Sequence, residues 1–136
     1  LSNLKSEAGN LLHLPFADNS ISSISCMHTV EHVGLGRYGD KIDPDGDLDA
    51  ARELARVVSV GGSLLFVVPI GKPRIQWNAH RIYSHDMVMQ MFSGLKLKEF
   101  SLIPDDALQT GMMYNATAAD ADKQAYGCGC FWFVKE

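Results

Sequence analysis

Apolar and polar residues change their spacing several times along the chain, and each change marks an element. Residues 21–27 read I-S-S-I-S-C-M, a short strand that follows the turn cluster Ala17-Asp18-Asn19-Ser20. Residues 10–14 form another short apolar run, stopped by Pro15, and predict a strand as well. Leu48, Ala51, Ala55 and Val58 then recur at spacings of three and four, the pattern of an amphipathic helix. Asp47 suits its N-cap, Asp49 the positive end of its dipole, and Glu53 pairs with Arg56 one turn on. Gly61-Gly62 reads as the C-cap. Residues 63–68 are continuously apolar and rich in β-formers, which predicts a buried, parallel strand. Residues 84–92 predict a second helix, capped by Ser84 or Asp86, with Met87, Met91 and Phe92 on its apolar side. Residues 95–102 alternate as a strand with one wet face, residues 104–124 are a polar long loop or flap, and residues 128–134 are a last strand.

This order of elements is an α/β pattern. The buried run implies helices on both faces of the sheet, and the last two strands look like an antiparallel edge on a mainly parallel sheet. At 136 residues the chain has room for one domain, residues 1–136. An apolar fraction of 46% and a charged fraction of 21% support a packed core and exclude wholesale disorder. The net charge of −4 argues against a nucleic-acid partner, which needs a basic face. No apolar run approaches the ~20 residues of a membrane span, so no membrane partner is expected. Three cysteines are too few for a disulfide framework, and no signal-peptide pattern opens the chain. The expectation is reduced thiols and a cytoplasmic location.

Several clusters carry candidate chemistry. His28, Glu31 and His32 form H-x-x-E-H, which matches an inverted zincin pattern. Zinc by that motif needs both histidines on one helix face, whereas this segment follows a strand and runs into Gly34-Leu35-Gly36; no metal is expected. Gly34, Gly36, Arg37, Tyr38, Gly39 and Asp40 make a glycine-rich loop with one cation and one ring, either a substrate loop or a plain turn. Asp43, Asp45, Asp47 and Asp49 alternate, but Leu48 and Leu54 stand where a calcium loop needs Gly and Glu. Asn78, His80, Arg81 and Tyr83 follow the buried strand, where loops above a sheet gather binding groups. Arg81 either clamps an anion or pairs with an aspartate of the Asp40 to Asp49 loop and ties the two loops. Cys128 and Cys130 share one strand face, and buried inert thiols are the default reading.

Three segments in order resemble the Rossmann-like S-adenosylmethionine-dependent methyltransferases: L-P-F-A-D-N-S-I at 14–21, C-M-H-T-V-E-H-V at 26–33, and E-L-A-R-V-V-S-V-G-G-S-L-L-F-V-V-P at 53–69. The segments at 31–47 and 77–83, with Cys128-Gly129 followed by Phe131 and Phe133, are similar to a small methyltransferase-like family of unassigned function. The resemblance implies a partial Rossmann-like sheet, the C-terminal half of the domain. Nothing before Asn10 supplies the superfamily's glycine-rich turn or its ribose-binding acid, and Leu1 rather than Met opens the chain. A truncated domain is therefore expected.

The resemblance further implies S-adenosylmethionine as cofactor, lined by Asn10, Leu11 and His28, but not held by this chain alone. Asn10 stands where the superfamily usually has an acid. Glu31, His32 and His80 become the candidate catalytic residues, and Arg37, Tyr38, Asn78 and Arg81 the candidate binders of a small anionic methyl acceptor. The alternative is a cofactor-free remnant or interaction module. An open strand edge near residues 24–27 then predicts self-association, or cover by residues 10–14.

Overall fold

The computed structural model describes residues 3–136. Four strands form the main sheet in the order β1-β2-β6-β5: β1 Ile21–Met27, β2 Val58–Ile70, β5 Lys96–Ile103 and β6 Gly127–Val134. β1 and β2 are parallel, while β6 is antiparallel to both β2 and β5. Three strands therefore share one direction, and the last strand runs against them. The final two strands do make the antiparallel side, with β6 inside and β5 outermost.

The amphipathic pattern at Leu48 becomes α1, Gly46–Val57, which buries Ala50, Ala51, Leu54 and Val57. The second pattern becomes α2, His85–Met91, with the Ser84 hydroxyl accepting from the Met87 N–H as a true N-cap. Leu64, Phe66 and Val68 of β2 join these helices in one core with Phe92, Phe100, Phe131 and Phe133. Phe66 meets Phe92 edge-on at 4.8 Å, and Phe100 lies 4.6 Å from Phe131.

Five expectations change. The continuous run of β2 does not place helices on both faces: Leu65 and Trp132 on the other face are 40% and 39% exposed, over a shallow depression of about 300 Å³. An unbroken apolar run cannot say which face is packed. Residues 10–14 form a turn rather than a strand, because the Asn10 side chain accepts from the Leu12 N–H and its carbonyl from His13. Leu11, Leu12 and Leu14 still pack against the core.

Gly61-Gly62 lies inside β2, because α1 hands over directly at Val58. A Cβ on Gly62 would stand 2.8 Å from the Ser59 carbonyl oxygen and 2.9 Å from that of Ser22, so the pair serves an irregular strand start. The polar stretch 104–124 holds α3, Ala107–Thr110, and α4, Ala118–Asp122, the latter opened by a Thr117/Asp120 capping box. A small hairpin of β3, Arg74–Gln76, and β4, His80–Ile82, occupies what reads as loop in the sequence. Among the described residues, no helix is long and apolar enough to cross a membrane.

Candidate functional site

β1 and β2 end at one edge of the sheet, and β6 begins there. The last ladder bond on this side runs from the His28 N–H to the Val67 carbonyl at 2.9 Å. His28 then adopts φ +50, a left-handed conformation that costs a non-glycine residue about 1–2 kcal/mol. This turns the chain off the sheet into a 3-10 turn, Val30–His32, and drives Glu31 inward to 1% exposure. The H-x-x-E-H residues are therefore not on an α-helix. Among the described residues, no group of three or more His, Cys, Asp or Glu side chains is arranged to hold a metal ion.

The turn gathers three imidazoles near one carboxylate. Glu31 Oε1 lies 3.0 Å from His28 Nδ1 and 3.8 Å from His32 Nε2, while Glu31 Oε2 is buried without a partner. His32 Nδ1 is 2.6 Å from the Ala79 carbonyl. A carbonyl only accepts, so Nδ1 carries a proton and Nε2 is turned toward Glu31. The His80 ring is 6.1 Å from that of His32, and its Nε2 is also buried without a partner. Desolvation, and then the nearby His32, push His80 below the ordinary histidine value. Unpartnered buried polar atoms are uncommon, and two of them here mark a place poised for further contacts.

Above this cluster opens a cavity of about 680 Å³, walled by Asn10, Leu11, His28, Thr29, His32 and Tyr38 among others. That volume lies within the range of small-molecule sites. The three residues expected at the cofactor thus come together, and His32 and Tyr38 join them. Arg37 stays exposed, its guanidinium 5.6 Å from the centroid of the Tyr38 ring. Asn78 stands exposed at φ +51 between β3 and β4 and does not line the cavity.

Arg81 takes the second of its two readings. It is 6% exposed, and its guanidinium donates to the carbonyls of Val33, Asp43 and Pro44 and lies 3.5 Å from Asp47. It ties the hairpin to the glycine-rich loop rather than reaching into the cavity. Tyr83 donates to the same Asp47 at 2.9 Å, and burial, then the Asp47 charge, push its phenol well up. Gly34 fits only without a side chain: at φ +80, a Cβ would stand 2.1 Å from the Asp43 carbonyl oxygen. Asp40 accepts from the Gly34 N–H at 2.7 Å; against a desolvation that raises it, such backbone donors hold its carboxyl below the usual value.

A second charged cluster anchors residues 14–18, which follow the cavity-lining residues 9–12. Arg56 forks onto Glu53 at 2.7 and 2.9 Å and also donates to Asp18 and to the carbonyls of Phe16 and Leu14. Glu53 accepts from the Leu14 N–H at 3.0 Å. The Arg56 hydrogen bonds, then that N–H, hold the Glu53 carboxyl down at about 2. The sequence pairs Glu53 with Arg56 but misses the reach to residues 14–18. The signal was present in the motif order, since L-P-F-x-D and E-x-x-R prove to be two halves of one clamp. Cys128, whose Sγ is 3.5 Å from His28 Nε2, was also missed, because 100 residues separate the two.

No curated protein matches this sequence. Solved structures do match its fold. A geranyl diphosphate methyltransferase in complex with S-adenosylmethionine aligns at a TM-score of 0.66 and 14% identity, over 99% of this chain and 59% of that one. An S-adenosylmethionine-dependent methyltransferase from Thermotoga maritima aligns at 0.61 and 14%, over 94% and 62%. The [4+2]-cyclase SpnF aligns at 0.60 and 13%, over 95% and 54%. The chain thus spans little more than half the length of these proteins. At such identities the likeness shows the fold, and a cyclase among the neighbours shows that this fold does not fix a reaction. With the methyltransferase fold in place and a sequence-family match over residues 15–122, the chain belongs to the family described as Caenorhabditis protein of unknown function, DUF268.

Proposed function

We propose that this chain carries the acceptor side of an S-adenosylmethionine-dependent methyl transfer to a small anionic molecule. The observation that supports this most is the buried Glu31, with one oxygen unpartnered, beneath His28 and His32 at the wall of a cavity of about 680 Å³. The fold agrees, since open α/β sheets bind ligands beyond the carboxyl ends of their parallel strands.

The fit to the cofactor is partial. Asn10, Leu11 and His28 line a wall of suitable size, but among the described residues no strand precedes β1 to carry a glycine-rich turn or a ribose-binding acid. When bound, the cofactor supplies a methyl group already activated on a sulfonium. The chain's own residues then position the acceptor and move one proton. His32, a cavity-lining residue with Nε2 3.8 Å from Glu31, takes a proton from the acceptor, with Glu31 stabilising the resulting imidazolium. His80, which desolvation pushes below the ordinary histidine value, packs behind His32 with its ring 6.1 Å away and does not itself line the cavity. Arg37, exposed on the loop whose Tyr38 lines the cavity, attracts the anionic group.

Calorimetric titration with S-adenosylhomocysteine tests this. Saturable heat that His28→Ala weakens and Glu31→Gln leaves intact is the expected result. A folded protein with no saturable heat contradicts it.

One observation favours a second reading, an interaction module. β1 is outermost in the sheet, its outer edge pairs with no described strand, and Met27 is 56% exposed there. Residues 10–14 do not pair with it. On this reading the chain self-associates through β1. Light scattering at a monomer mass, with fast amide exchange at residues 24–27, counts against it.

A further inference from the structure

Cys128 and Cys130 stand two residues apart on β6, so their side chains leave the same sheet face. The default of inert, buried thiols does not hold, because both are only half-buried, unlike Cys26. The antiparallel course of β6 brings its start to the edge where β1 ends. Cys128 Sγ thereby lies 3.5 Å from His28 Nε2, and His28 Nδ1 lies 3.0 Å from Glu31 Oε1. Glu31 is buried, and its other oxygen is unpartnered. A carboxylate on one ring nitrogen holds the proton there and leaves the other nitrogen to receive a thiol proton. Cys130 borders the depression on the open sheet face, beside Met27, Leu65 and Trp132, and is reached from that side.

We propose that Glu31, His28, Cys128 and Cys130 form a dithiol exchange site that reacts with low-molecular-weight disulfides. This assignment shares His28 and Glu31 with the cofactor reading but does not rest on it. Their mutual proximity pushes Cys130 below and Cys128 above the ordinary thiol value, and burial adds to the rise at Cys128. In the first step the Cys130 thiolate attacks one sulfur of the disulfide. The S–S bond breaks, and one thiolate leaves and is protonated from solvent. The Cys128 proton then passes to His28 Nε2, 3.5 Å away. The Cys128 thiolate then attacks the Cys130 sulfur, and the second leaving thiolate takes the proton from His28. Two protein thiols are oxidised to one disulfide, and the small disulfide is reduced to two thiols. Strand residues two apart have Cα atoms, and the Cβ atoms of their parallel side chains, about 6.6 Å apart, beyond the ~4.5 Å between Cβ atoms that a disulfide spans, so the strand must pucker at Gly129 for the bond to close. The new bond is therefore strained and readily reduced again, as a regulatory bond must be.

The test uses dithiodipyridine, whose released thione absorbs light, at one equivalent per protein. The expected result is two thiones in two phases, a protein lighter by two hydrogens without an adduct, and a peptide map that links Cys128 to Cys130. Cys128→Ser stops after one thione with an adduct on Cys130. His28→Asn, chosen because Asn tolerates the left-handed backbone, keeps the first phase and slows the second about tenfold. Glu31→Gln slows the same phase and stands in if the first variant does not fold. Separate adducts on both thiols, or a second phase unchanged in both variants, overturns the proposal.

Discussion

Two carboxylates, Glu53 and Glu31, sit among basic groups, Glu53 on α1 and Glu31 beneath the cavity-lining His28 and His32, and they differ in how completely they are bonded. Glu53 has both oxygens on Arg56 and one also on the Leu14 N–H. Glu31 shares one oxygen between two imidazoles and leaves the other without a partner in a fully buried position. The backbones differ in the same way, since Glu53 lies in a regular helix whereas Glu31 follows a left-handed histidine. The first arrangement is architecture: every donor finds its acceptor and nothing remains to react. The second keeps strain and unmet polar groups, which persist where surrounding structure enforces them and a ligand can use them.

Substitutions sharpen this contrast. The largest loss of stability belongs to the satisfied kind of cluster. Asp47→Ala removes the acceptor of the Tyr83 hydroxyl and the counter-charge of the buried Arg81, at a cost of about 3–5 kcal/mol in urea unfolding. Gly34→Ala comes next, since its Cβ meets the Asp43 carbonyl oxygen at positive φ; about 1–3 kcal/mol is expected by the same measurement. Glu31→Gln is the counter-case. The amide keeps one hydrogen bond and surrenders none at Oε2, so stability changes by less than about 1 kcal/mol, while the proposed methyl transfer falls sharply. A large destabilisation by Glu31→Gln would place it with Glu53 instead.

The pH dependences also separate the regions. Glu53 is lowered from an ordinary value of 4.5 to about 2. Its stabilisation is complete above pH 4.5 and is lost as pH falls toward 2, because the unfolded chain takes up the proton first. Arg56→Gln flattens that acid limb. His80 is lowered from 6.5, so the unfolded chain again binds the proton more readily, and stability declines as pH drops below 6.5. His80→Gln removes this second, smaller decline. Both follow from unfolding curves collected across pH.

The contrast also explains what the sequence could disclose. β1, α2 and the buried part of β2 were legible because periodicity and a Ser cap are local properties. The clamp was half legible: Glu53 and Arg56 are one helical turn apart, but the Arg56 contacts to Phe16 and Asp18 join residues about 40 positions apart. Periodicity carries no such information. The hairpin at Arg74–Gln76 was hidden because its strands have three residues each, too short for an alternation to register. Candidate site residues were legible as types, and Asn10, Leu11, His28 and His32 do share one cavity. The burial of Arg81 was not, since only the fold brings the carbonyls of Val33, Asp43 and Pro44 around its guanidinium. The approach of Cys128 to His28 required the antiparallel insertion of β6, a property of topology alone.

The central claim is that ligand chemistry belongs to the Glu31 rim and not to the Glu53 clamp. An amide chemical-shift map during titration with S-adenosylhomocysteine tests it most directly. Shifts are expected at residues 10–12 and 28–34, with residues 53–56 unmoved. Shifts confined to residues 53–56, or a spectrum unchanged at saturating ligand in the folded protein, would contradict it.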